Sequence, residues 1–273
     1  MIGYYHVSKN DTKNNADFTL GHDTLSEDVT VNDINLKSFE IKSGLNSKFW
    51  IGDKLKPLIR QGLLKIVDDF YESIEIDDII IEDVIFTGSL AGYNWSKYSD
   101  IDIHIIVDYD KIKIPNELLL DYFEMKKKIF NIKYSDLNFY GYPIEIYVED
   151  IKQDLTIGSP RYSIENDVWV KLPVKKDIDN SIGFIKKSST YYINKIDNLV
   201  NNYQTTPNNM LEHYLKKVDR LYNEIKDKRD VELKKGGEFA PFNIIFKILR
   251  RTGRIGKLID LKSKIYVKLN SLK

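Results

Sequence analysis

Five residues in this sequence carry the types and spacing that can do chemistry: Gly88, Ser89, Asp100, Asp102 and Glu145. In Asp100-Ile101-Asp102-Ile103-His104-Ile105 the aspartates are two residues apart. Side chains alternate faces along a strand with period two. Both acids therefore share one face, and Ile101, Ile103 and Ile105 share the other. In Ile144-Glu145-Ile146-Tyr147-Val148 the aliphatics again take one side and Glu145 the opposite one. If the two strands are neighbours, three carboxylates converge on one open sheet face. Clustered carboxylates repel, so at least one pKa rises unless something neutralises the group. A hard divalent cation is the usual remedy, and Mg²⁺ (or Mn²⁺) suits carboxylates combined with substrate phosphates and water. Two such ions could clamp the attacking and leaving oxygens of an in-line phosphoryl displacement. On this reading Asp100 and Asp102 hold metal, and Glu145 binds a second ion or takes the acceptor's proton.

Gly88-Ser89 supplies the complementary half. A glycine after a strand lets backbone N–H groups approach a phosphate closely, and the Ser89 hydroxyl adds one hydrogen bond. Gly-Ser alone is uninformative. Gly-Ser followed after ten residues by Asp-Ile-Asp on an apolar strand, and then by Glu on another, is far more specific.

Thr87-Gly88-Ser89 with Ser99-Asp100-Ile101-Asp102 resembles the signature of the polymerase-β-like nucleotidyltransferase superfamily. Glu145 sits where that family's third acid would fall, although many members use Asp. The resemblance covers residues 84–148. The stretches Asn94-Trp95-Ser96-Lys97-Tyr98 and Arg161-Tyr162-Ser163-Ile164 look like small phage-encoded nucleotidyltransferases. The resemblance implies an α+β fold: a mixed β-sheet catalytic domain with helices on one face, followed by an all-helical domain. It also implies Mg²⁺-dependent transfer of a nucleoside monophosphate from an NTP to a hydroxyl acceptor, with pyrophosphate released. The acceptor stays open among an RNA end, a nucleotide, a small molecule and a protein. Two alternatives remain: a catalytically idle nucleotide- or RNA-binding protein, and a protein adenylyltransferase of the antitoxin type.

The elements that must position these residues follow from periodicity. A helix is expected from a cap at Asp53, with Leu55, Leu58, Ile59, Leu63, Ile66, Val67, Phe70 and Ile74 at helical spacing. Strands are expected over 79–86, 100–107 and 143–148. Pro115 opens a helix expected to bury Leu118, Leu119, Tyr122, Phe123, Met125 and Ile129. Residues 161–172 read as a hairpin turning at Glu165-Asn166-Asp167. Helices then fill 177–201, a span after Pro207, 241–252 and 254–269. The expected domains are an arm or short strands over 1–38, the catalytic domain over 39–173 and the helical domain over 174–273.

Composition sets the bounds. The 273 residues can build a real core, and 41 basic against 41 acidic residues give no net charge. The charge is uneven: residues 1–170 carry 18 Lys and Arg against 30 Asp and Glu, and residues 171–273 carry 23 against 11. A basic half beside an acidic one suits a polyanionic ligand, although solvated helix faces give the same tally. Without cysteine, disulfides, thiolate metal sites and a cysteine nucleophile are excluded. No apolar run is long enough for a membrane span and the N-terminus lacks a signal-peptide layout, so a cytoplasmic location is expected.

Several residues carry two readings. Tyr162, with Trp169, could stack on a base or pack under the hairpin. Lys187, with Lys186, or Lys217 with Arg220, could reach a triphosphate or be solvated charge. Arg250, Arg251, Arg254 and Lys257 form a basic cluster that could touch nucleic acid or be salt-bridged surface. Glu149 and Asp150 read as surface acids beyond a strand end. His104 shares the aspartate face and reads as structural more readily than functional. His6, His22 and His213 show no zinc spacing.

Overall fold

A computed structural model describes residues 29–76, 79–134, 138–153, 159–175 and 181–271. Most of the expected N-terminal arm, with His6 and His22, lies outside these residues, as does the expected start of the helix over 177–201. The chain divides into two compact units. One comprises Asn35–Asn180 with Val231–Ala240, and the other holds the described residues up to Ile34 with Ser181–Asp230 and Pro241–Lys273.

The first unit is a mixed α+β assembly around a six-stranded sheet. Its strands are β3 (Ile81–Thr87), β4 (Ile101–Val107), β5 (Asn138–Phe139), β6 (Tyr142–Asp150), β7 (Arg161–Ser163) and β8 (Val168–Lys171). The spatial order is β5-β6-β4-β3-β7-β8. β4 and β6 run parallel, and every other pairing is antiparallel. The β4–β6 crossover carries the helix α2 (Asn116–Lys133), the connection a parallel pair demands. A separate two-stranded ribbon joins β1 (Trp50–Ile51) to β2 (Lys54–Leu55).

The ribbon moves the first helix. α1 spans Pro57–Ile74 and does not start at an Asp53 cap. Lys54 and Leu55 are occupied as strand partners of Ile51 and Trp50, so the helix begins at Pro57, whose fixed φ suits a first turn. Its buried stripe is Ile59, Leu63, Ile66, Val67, Phe70 and Ile74, while Leu58 is exposed. In α2 the buried side is narrower than expected: Leu119, Phe123 and Phe130 are buried, and Leu118, Met125 and Ile129 are exposed. The helix carries two apolar rows, and the core takes only the one containing Leu119.

Ile101, Ile103 and Ile105 are fully buried and share one core with Leu63, Phe70, Leu119 and Phe123. α1 and α2 therefore pack on the sheet face opposite the aspartates. The hairpin of β7 and β8 closes the core's other end. Trp169 stacks on Trp50 at 4.9 Å, and Tyr162 meets both rings edge-on. The Arg60 guanidinium donates to the carbonyls of Ile164 and Glu165, tying that turn to α1.

In the second unit the described elements after Ser181 are helical. α3 (Ile182–Tyr203) packs against α5 (Pro241–Arg251) and α6 (Arg254–Ser271), and α4 (Leu211–Gly236), whose residues from Val231 on are counted with the first unit, joins α3 to α5 in the chain. Arg254 is held by Asp197 at 2.9 Å, and Lys257 lies 3.9 Å from the same carboxylate. These two members of the basic cluster are thus salt-bridged. Among the described residues no helix is long and apolar enough to cross a membrane.

Candidate metal centre

The register of the parallel pair assembles the acids. Asp102 of β4 lies opposite Glu145 of β6 on one side and opposite Thr87 of β3 on the other. Asp100 precedes β4 by one residue and keeps its alternation, so its side chain joins the same face. One carboxylate oxygen from each of Asp100, Asp102 and Glu145 lies within 4.8 Å of the other two. All three residues are half-buried. Two like charges at that separation repel by about 3 kcal/mol per pair at an effective dielectric near 20. Three oxygen donors, with neither thiolate nor imidazole among them, fit a hard cation such as Mg²⁺.

Gly88 terminates β3 at φ 74° and ψ −162°, a combination essentially confined to glycine. A Cβ built there would fall 1.9 Å from Asp102 Oδ2. The glycine therefore makes room for the Asp102 carboxylate, a requirement that residue spacing alone does not reveal. Ser89 opens a short 3-10 turn, and its Oγ donates to Ser99 Oγ at 2.7 Å. Ser99 Oγ also accepts from the Ser96 amide at 3.0 Å. The Ser89 hydroxyl thus ties the bend after β3 to the loop entering β4, and it keeps acceptor capacity for a further partner.

The same face carries four residues that were not assigned to the site in the sequence. The Tyr147 hydroxyl donates to Glu145 Oε2. Burial raises the Tyr147 pKa well above the usual phenol range, and the Glu145 bond and the neighbouring Asp102 and Asp100 charges add to that. Its ring lies 5.0 Å from that of His104, and Lys127 Nζ sits 3.4 Å from its centroid. His104 Nδ1 is bonded to Glu149, and Arg161 reaches Glu149 Oε1 at 3.2 Å. Glu149 and Arg161 are each only 7% exposed. The expectation that Glu149 lies on the surface past a strand end is corrected: β6 runs on to Asp150 and period two keeps Glu149 on the acid face. Burial works to raise its pKa, but the hydrogen bond and charge of His104 and the Arg161 guanidinium outweigh this and hold the carboxyl below its ordinary value. Tyr147 and Glu149 stand two and four residues after Glu145, so the alternation that found Glu145 also marks them.

One expected nucleotide contact is enclosed in the core. Tyr162 is fully buried, enclosed by Trp50 and Trp169 with its hydroxyl on Asp167, and no ring face is left for a base. Its role is hairpin packing, the other of its two readings. Lys187 is exposed on α3 in the second unit.

No family model and no curated protein matches this chain. Among solved structures, a STING-associated CdnE c-di-GMP synthase from Capnocytophaga granulosa aligns over 81% of this chain and 84% of its own. The identity is 15% and the TM-score 0.20. A superposition that loose carries no weight for fold or activity.

Proposed function

We propose that this chain is a divalent-metal-dependent nucleotidyltransferase, moving a nucleoside monophosphate from an NTP to a hydroxyl acceptor. The observation that carries the reading is the meeting of Asp100, Asp102 and Glu145 within 4.8 Å on one sheet face. The glycine bend that opens beside Asp102 supports it. A bound Mg²⁺ would neutralise phosphate charge and acidify the acceptor hydroxyl. Asp100 and Asp102 would hold it, with Glu145 as third ligand or as the base that takes the acceptor proton. The acceptor oxygen then bonds to the α-phosphorus, the bond to the pyrophosphate oxygen breaks, and pyrophosphate leaves. Gly88 keeps the end of β3 free of side chain, which leaves backbone N–H groups open to the departing phosphates. Ser89 fixes that bend through Ser99.

The test is incubation with α-labelled NTPs, Mg²⁺ or Mn²⁺, and a panel of acceptors: RNA, nucleotides, small hydroxyl compounds and proteins. Label should reach one acceptor class with the wild type and none with Asp100→Ala/Asp102→Ala. Undiminished transfer by the double variant would remove these acids from the reaction.

A further inference from the structure

The acid face holds an expensive arrangement that the three carboxylates do not require. Glu149 and Arg161 are a buried ion pair contributed by β6 and β7, which are separated in the sheet by β4 and β3. Such pairs seldom add net stability, because desolvating both charges offsets their attraction. The pair is not isolated. Glu149 also binds His104 Nδ1, the His104 ring packs on Tyr147, and the Tyr147 hydroxyl ends on Glu145 Oε2. The register places these groups in successive rows: Asp102 beside Glu145, His104 beside Tyr147, and Ile106 beside Glu149.

We infer that Arg161, Glu149, His104 and Tyr147 form a chain, buried at its Arg161–Glu149 end and half-buried at His104 and Tyr147, that fixes the orientation of Glu145, with Tyr147 as its positioning residue. The inference rests on the metal-centre reading above and adds how the third carboxylate is aimed. A glutamate side chain has three rotatable bonds, and its charge is drawn away from two neighbouring aspartates. A hydrogen bond at Oε2 selects one orientation and leaves the remaining lone pairs for a cation. The phenol ring itself is in contact with the His104 ring at 5.0 Å and with Lys127 Nζ at 3.4 Å. His104 cannot swing aside without breaking its bond to Glu149, and Arg161 holds Glu149. Partners that orient a ligating carboxylate typically change metal affinity by about 10- to 100-fold when removed.

The test is Mn²⁺ binding to the full chain, measured as free ion by electron paramagnetic resonance, for wild type, Tyr147→Phe, Glu149→Gln and Asp102→Asn. Tyr147→Phe keeps the ring and loses the hydroxyl. It should weaken Mn²⁺ binding by about 10-fold or more and raise the metal concentration needed for half-maximal NTP turnover. The metal-free melting temperature, which a purely structural role would lower, should stay near that of the wild type. Glu149→Gln should shift affinity in the same direction by a smaller factor. It also serves as the independent variant should Tyr147→Phe fold poorly. Equal Mn²⁺ affinity in wild type and both variants, with binding lost only in Asp102→Asn, overturns the positioning chain and leaves the metal centre standing. No binding by the wild type overturns both.

Discussion

Asp102 and Glu145 are direct register partners across the parallel seam between β4 and β6. Neighbouring strands lie about 4.8 Å apart, so the two carboxylates are held at near ligand spacing by backbone hydrogen bonds. Asp100 completes the set from the start of the same strand. The site's geometry is therefore a property of the sheet, built on the most buried part of the unit.

Like charges held together by backbone make metal binding a stabilising event. Mg²⁺ should raise the melting temperature of the wild type, with a gain of about 2.7 kcal/mol at a hundred times the dissociation constant. Asp102→Asn should lose that response. Calorimetry with and without Mg²⁺ checks both statements, and an undiminished Mg²⁺ shift in Asp102→Asn would contradict the second.

Gly88 should accept no side chain. Gly88→Ala places a methyl 1.9 Å from Asp102 Oδ2 in a backbone region that alanine avoids. The expected cost is about 1–3 kcal/mol from the backbone alone. Because the clash displaces a ligand, Mn²⁺ affinity should fall further than stability does. Denaturant unfolding alongside metal titration separates the two losses.

Burying Ile103 should matter to the fold and not to the chemistry. Ile103→Ala removes side-chain atoms from a fully buried position between Asp102 and His104 and should cost about 2–5 kcal/mol. Metal affinity per folded molecule should stay within about threefold of wild type, since the neighbours on the opposite face keep their strand positions. Urea unfolding gives the first number and Mn²⁺ titration below the transition the second.

Glu149 supplies a pH signature. Its folded pKa is held below the ordinary 4.5 by His104 and Arg161. Its contribution to stability is therefore fully present above 4.5 and is lost as pH falls through the lower folded value. Glu149→Gln should melt below the wild type at neutral pH. The gap should narrow as the medium is acidified below 4.5 and close once pH has passed the lower folded value, where the folded Glu149 takes up its proton. A gap that stays constant down to strongly acidic pH would show that the carboxylate charge is not what Arg161 and His104 hold.

The sequence made some of this arrangement readable and hid the rest. Alternation placed Asp100 and Asp102 opposite Ile101, Ile103 and Ile105, because period two is a local property. It also put Glu145 opposite its aliphatic neighbours. The parallel adjacency of β4 and β6 is not local and had to be assumed. The start of α1 is not legible locally, because Asp53 is a plausible cap, whereas the pairing of Lys54 and Leu55 with Ile51 and Trp50 appears only in the folded ribbon. Leu118, Met125 and Ile129 are apolar at helical spacing, so pattern alone could not say which row of α2 the core would take. Arg161 carries no local signal of its role, since nothing near it in the sequence shows that it reaches Glu149 across two intervening strands.

The parallel seam has one more implication. Sliding β6 past β4 by a single residue would turn Glu145 toward the isoleucines and bring Ile144 or Ile146 out beside Asp102. For such a one-residue slip no half-turned state exists, because a pleated ribbon offers only two sides. Molecules in register and molecules slipped by one should accordingly be competent and inert toward the cation, with no graded state between them. A destabilised preparation should lose the number of its binding sites while the affinity of those that remain is unchanged.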